Sequence, residues 1–160
     1  SLERQALEQL KTAAGVEAGI VSHDGGGDLM INVLNGTLDI GVGEVQELKS
    51  QLEAGEIRLL ATFSDARLDL LPDLPTVAEL GYDVVVRKFR GLAGPKGIPD
   101  DVVAIWEAAV QEVLASAEYR AVYEPNNLRA QYIGHDDYIA FIAQFGAETE
   151  GFLRETGVIE

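Results

Sequence analysis

Apolar and polar positions along this chain fall into short extended runs, each followed by a helical stripe. Residues 3–14 are largely polar, with Leu7, Leu10 and Ala14 spaced for one helical face, and Gly15 closes that helix. Residues 18–21 form an apolar run of strand length. Leu29, Met30, Val33 and Leu34 then mark a helix ending at Asn35-Gly36, with Asp28 placed to cap its start. Residues 38–42 predict a second strand, 44–54 an amphipathic helix closed by Gly55, and 57–63 a third strand. Strands alternating with helices in this way predict a parallel sheet with crossover helices.

The pattern then changes. "LLPDLPTVAELGYD" at 70–83 holds two prolines within four residues, which break regular structure, and 76–80 reads as a helical turn stopped by Gly81. Residues 84–92 are extended, and 94–99 ("GPKGIP") form a turn-rich joint. Beyond it, 100–115 carries Val102, Ile105, Trp106, Ala109, Val110 and Val113 on one helical stripe. Ser116 is placed to cap a helix reaching Tyr123, and Pro125-Asn126-Asn127 breaks it. Residues 128–133 predict a short strand. Asp136 is placed to cap a last helix carrying Tyr138, Ile142, Phe145 and Phe152. About the first 85 residues therefore read as an α/β unit and the rest as helices, whose apolar faces have few strands to cover.

Composition narrows the function classes. The 160 residues carry a net charge of −15, which opposes binding to a nucleic-acid backbone or an anionic membrane. There is no cysteine, so disulfides and thiolate metal sites are excluded. No run approaches the ~20 apolar residues that cross a bilayer.

The candidate chemistry centres on "HDGGGD" at 23–28. Gly25, Gly26 and Gly27 stand between a strand-like run and a helix, where backbone N–H groups share the positive end of the helix dipole. Glycine there allows close approach and positive φ. A tight turn alone needs only one glycine. The run lacks the Gly-Lys-Ser/Thr of a Walker loop and the spacing of a dinucleotide fingerprint. Gly43, in "GVG" at 41–43, lies at the same end of a parallel sheet, where ligands of open α/β sheets bind. His23 beside Asp24 invites an acid–base dyad, but no serine or cysteine elbow accompanies it. Arg87, Lys88 and Arg90 form the one tight basic cluster, suited either to a carboxylate ligand or to pairing with surface acids.

Several stretches together resemble one family. "VSHDGGGDLMINVLNGTLDIGV", "EAGEIRLLATFSDARLDLLPDLPTVAELGYDVVV" and "FRGLAGPKGIPDDVV" look like the substrate-binding receptors of tripartite tricarboxylate transporters, over about residues 5–156. "PDLPTVAELG" is the most specific part. The chain departs from the family pattern at Ser22-His23, where a Pro-aromatic pair is usual, at the helix-ending glycine pair, where either Thr37 replaces the second glycine or the pair is Asn35-Gly36, and at Phe89 in place of tryptophan.

The resemblance implies an α/β fold of the periplasmic-binding-protein type II-like clamshell kind. Members are about twice as long as this chain. Residues 1–86 would form the second α/β lobe, complete or nearly so, 87–94 a crossing strand, and 95–160 the helical carboxy-terminal part of the first lobe. It further implies a periplasmic receptor, here a fragment, that binds a small carboxylate and delivers it to transporter membrane subunits, with no cofactor, no metal and no chemical step. The ligand-binding residues expected are His23, Gly25, Gly26, Gly27, Gly43, Phe89 and Arg90, with Asp24 and Asp28 orienting the loop. A second copy of the chain is expected to cover the exposed helix faces. The alternatives are an α/β enzyme using His23 and Asp24, or a clamshell sensor domain.

Overall fold

The computed structural model describes residues 1–157 and 159. The chain divides into two compact units, Ser1–Arg90 and Gly91–Glu160. The first opens with α1 (Leu2–Ala14), capped by the Ser1 hydroxyl, which accepts from the Arg4 amide at 3.3 Å. At its other end Gly15 takes a left-handed conformation. The Gly15 amide donates to Thr12 and the Val16 amide to Lys11, satisfying two of the last helical carbonyls.

Helices α2 (Gly26–Leu34) and α3 (Val45–Glu53) pack on each other, and Met30 and Leu48 from these helices are buried. The segment between them passes close beneath α2. A Cβ on Gly41 would lie 3.1 Å from Leu29 Cδ1 and 3.2 Å from Val33 Cγ2, so a larger residue there would push α2 outward.

The expected sheet is reduced to isolated bridges. Residues 18–21 and 38–42 run irregularly, without a ladder, among the described residues. Glycines interrupt both neighbourhoods (Gly19, Gly41 and Gly43) and weaken any strand they join. Only the end of 57–63 pairs. Thr62 bridges Thr76 in parallel, donating its amide to Pro75 and accepting from Val77, each at 2.9 Å, while Phe63 accepts from Val86 at 2.9 Å.

The turn at 76–80 is held by reciprocal bonds. The buried Thr76 hydroxyl accepts from the Glu79 amide at 3.0 Å, and the Glu79 carboxylate accepts from the Thr76 amide at 2.8 Å. Arg67 Nε donates to both Glu79 oxygens at 3.0 Å, and Arg67 Nη1 donates to the Pro72 carbonyl at 2.9 Å. The "PDLPT" segment is thus tied to the 62–67 run by a buried hydroxyl and a two-oxygen ion pair.

The second unit holds α4 (Asp100–Ala115), α5 (Ala117–Tyr123), a 3-10 turn (Glu124–Asn126) and α6 (His135–Glu155). Ser116 caps α5 as the sequence predicts, accepting from the Tyr119 amide at 3.2 Å. Residues 128–133 form no strand among the described residues. Asp136 does not cap α6. It lies in the first helical turn, and Gly134 is the cap residue. Glu107 of α4 reaches across instead, accepting from the His135 amide at 2.7 Å and from the Tyr132 hydroxyl at 3.0 Å. Those bonds hold its carboxyl below the usual carboxylate range. The apolar stripe of α4 faces outward, with Ile105 67% and Trp106 59% exposed.

Thr76→Ala removes the hydroxyl that closes the 76–80 turn. The expected loss is about 1–2 kcal/mol of stability, read from urea unfolding at pH 7. An unchanged midpoint would show that the turn does not depend on this bond.

Candidate anion-binding site

The start of α2 has no side-chain cap among the described residues. The first helical bond runs from the Leu29 amide to the Gly25 carbonyl at 3.3 Å. The amides of Gly26, Gly27 and Asp28 therefore lie ahead of any intrahelical acceptor, at the positive end of the dipole. Such a helix start can receive an anion through backbone donors alone.

The positive φ that the sequence suggested for the three glycines is not used. None of them adopts positive φ, and Gly25 is extended at −169°, a conformation open to any residue. Close approach is what singles out Gly26. A Cβ on Gly26 would lie 2.8 Å from the Glu47 Oε2 and 3.2 Å from the Glu47 Cβ, whereas nothing approaches a Cβ on Gly25 or Gly27. The same Glu47 oxygen lies 3.7 Å from a Cβ placed on Gly43. Gly26 and Gly43 thus meet around one carboxylate.

His23 is half-buried beside this loop. The Asn32 Nδ2 lies 3.1 Å from His23 Nε2 and donates to the Asp28 carbonyl at 3.0 Å. A carbonyl can only accept, so the second bond fixes which end of the Asn32 amide is nitrogen. The Asn32 amide nitrogen therefore faces His23 Nε2 as a donor. Asp24 and Asp28 are exposed, and the Asp28 side chain does not cap α2, although the sequence placed it to do so. Asp28 serves through its main-chain carbonyl instead.

The residue after Gly43 anchors the basic cluster. Glu44 Oε1 pairs with Lys88, and Glu44 Oε2 lies 3.5 Å from Arg90 Nη2 and accepts from Gln46 Nε2 at 2.9 Å. Lys88 also pairs with Glu3 of α1 at 3.3 Å, and Arg87 pairs with Asp65 at 2.7 Å. All three basic residues are therefore matched with acids. Phe89, between them, is half-buried. Burial works to raise the Glu3 carboxyl, but bonds from its own amide and Ser1, together with the Lys88 charge, hold it below its ordinary value. The hydrogen bond to Glu44 pushes Lys88 above its own, against burial and with help from the Glu3 charge.

The second unit has a cleft of about 610 Å³ lined by Asp100, Val103, Glu107, Gly134, His135, Asp136 and Asp137. Its four carboxylates oppose an anionic ligand. His135 is exposed at its rim.

Sequence reasoning missed Asn32, Glu44 and Glu47. The i, i+4 spacing of Asp28 and Asn32 was a usable signal for the first. The other two depend on α3 folding back against α2, which no local pattern reports.

The model of the tripartite tricarboxylate transporter family receptor matches residues 1–158. The chain belongs to that family. A UPF0065 protein of Cupriavidus necator is 28% identical over 154 residues, 96% of this chain and 45% of that protein. BugT of Bordetella pertussis is 26% identical over 152 residues, 94% of this chain and 46% of its own. An R. palustris protein solved with adipate is 25% identical with a TM-score of 0.83, over 98% of this chain and 53% of that one. A TctC solute-binding protein from Polaromonas shares the fold, with a TM-score of 0.76 at 23% identity, over 97% of this chain and 54% of that one. The chain thus spans about half the length of the relatives it matches.

Lys88→Met removes the charge shared by Glu3 and Glu44. Glu3 has a depressed carboxyl, so its contribution is present above the usual carboxylate range and is lost as pH falls through the lowered value. Lys88 is raised, so its contribution holds below 10.5 and is lost as pH rises through the raised value. These groups are partly exposed, so the expected loss at pH 7 is about 0.2–1 kcal/mol. Urea unfolding at pH 3 and pH 7 checks this, and the variant and the parent should converge at pH 3. A constant gap at both pH values would assign the effect to packing.

Proposed function

We propose that this chain is part of an extracytoplasmic, periplasmic receptor that binds a small di- or tricarboxylate and delivers it to the membrane subunits of a secondary transporter. The single observation that carries the reading is the uncapped start of α2, with Gly26 and Gly43 converging on it and Lys88 and Arg90 beside Glu44. Family membership and the adipate bound by the R. palustris protein support a carboxylate as the cargo.

In this reading the Gly26, Gly27 and Asp28 amides grip one ligand carboxylate. His23 lines the loop, Gly43 keeps the approach narrow, and Gly25 and Asp24 shape the loop. Phe89 and Arg90 flank the ligand from the following segment. Backbone donors hold an anion without a formal charge, which suits a receptor that must release its cargo. The reading includes no chemical step. Members of the family are solute-binding proteins, and His23 Nε2 is engaged with Asn32 rather than poised beside a nucleophile.

The reading assigns residues 1–86 to the second lobe of a type II-like clamshell, 87–94 to the crossing segment and 95–160 to the helical end of the first lobe. The exposed Ile105 and Trp106 of α4 call for a protein surface over them, and for residues 1–160 alone a second copy is the expected cover. No helix among the described residues is long and apolar enough to cross a membrane.

Thermal shift and calorimetry with succinate, glutarate, adipate and citrate test the binding claim, with putrescine as a cationic control. A carboxylate that binds should raise the melting temperature in proportion to RT ln(1 + [L]/Kd). Stabilisation by putrescine alone, or by none of the acids at millimolar concentration, would contradict the reading.

A further inference from the structure

We propose that Asn35 is a self-modification site: its side-chain amide is converted to a carboxylate through a cyclic imide with Gly36, at a rate set by opening of the last turn of α2. The inference is independent of the receptor reading. Asparagine is among the thermolabile side chains, and its reaction needs an unshielded following amide. Of Asn32, Asn35, Asn126 and Asn127, Asn35 alone precedes a glycine. Asn35, Gly36 and Thr37 are all exposed. Gly36 adopts φ 76°, a conformation glycine favours, and nothing lies within 4 Å of a Cβ placed on it. Water and base therefore reach the Gly36 nitrogen freely. The Asn35 Nδ2, the group that leaves, makes no hydrogen bond among the described residues.

The other asparagines are differently placed. Asn32 Nδ2 donates to the Asp28 carbonyl within α2, and a β-branched residue, Val33, follows it. Asn126 Nδ2 donates to the Val122 carbonyl at 2.9 Å. Asn127 is followed by Leu128, whose side chain shields the attacking nitrogen.

The folded turn restrains the reaction. Asn35 ends α2 with ψ −1°, so the Gly36 nitrogen nearly eclipses the Asn35 nitrogen and stands well away from Cβ. Two bonds hold that arrangement. The Gly36 amide donates to the Val33 carbonyl at 3.1 Å, and the Thr37 amide donates to Asn35 Oδ1 at 2.9 Å. Ring closure requires both to break and the Asn35 Cα–C bond to rotate. Helix ends open at little cost, so the path is slowed and not closed. The Gly36 nitrogen then attacks Asn35 Cγ and gives up its proton. The Cγ–Nδ2 bond breaks, and Nδ2 departs with that proton as ammonia. Water opens the imide at either carbonyl, restoring the Gly36 N–H and leaving aspartate or isoaspartate. The product carries a new negative charge at the carboxyl end of α2, which the helix dipole disfavours. The isoaspartyl form also adds a backbone methylene between α2 and the 38–42 segment.

The test is to hold the 160-residue chain in mildly alkaline buffer, native and in urea, and to follow its asparagine peptides by mass and chromatography. The Asn35 peptide should exchange amide for acid, split into aspartyl and isoaspartyl forms, and convert ahead of the peptides of Asn32, Asn126 and Asn127. Conversion should run about tenfold slower in the native chain than in urea, through the closed turn. An Asn35 that stays intact in the native protein, that converts as fast there as in urea, or that lags behind the other asparagines overturns the proposal.

Discussion

Negative charge has to be held away from one spot if an acidic chain is to bind an anion there. This chain carries a net charge of −15, so its average field repels a carboxylate. In the proposed receptor reading the reversal is local, and two features carry it. One is the start of α2, where three amides precede the first helical bond. The other is the junction at Lys88, which engages acids from α1 and from the residue before α3. Arg90 adds to the second acid. Together they turn Glu3 and Glu44, which would otherwise spoil the field around the loop, into anchors for the 87–90 segment.

The same junction explains how the unit holds its shape with so little sheet. Packing of α2 on α3 comes from Met30, Leu48 and the bare backbone of Gly41. The 76–80 turn is locked to 62–67 by Thr76, Glu79 and Arg67. Short polar ties at chain crossings do part of the positioning that a continuous ladder does in other α/β units.

Much of this was readable from residue order. Helix limits followed from Gly15, Asn35-Gly36, Gly55 and Ser116, because caps and stops are local chemistry. The strands at 18–21 and 38–42 were over-read, since apolar runs report burial and not whether a partner strand comes into register. Asp28 and Asp136 were read as caps because their type fits, yet the helices begin two residues earlier and one residue earlier, at Gly26 and His135. For α6 a distant acid, Glu107, fills the role. The left-handed freedom expected of the glycine run is unused, and the space over Gly26 is what Glu47 occupies. Contacts between α2 and α3 are long-range facts, and so Asn32's neighbours were nearer to reach by reasoning than Glu47's.

The account stands on a carboxylate meeting the first-turn amides of α2. The most direct measurement follows the backbone amide resonances of the isotope-labelled protein during an adipate titration. The account predicts saturable shifts largest at Gly26, Gly27 and Asp28, with smaller ones at His23 and Gly43. Shifts confined to the acidic cleft around His135, or none at any concentration, would contradict it.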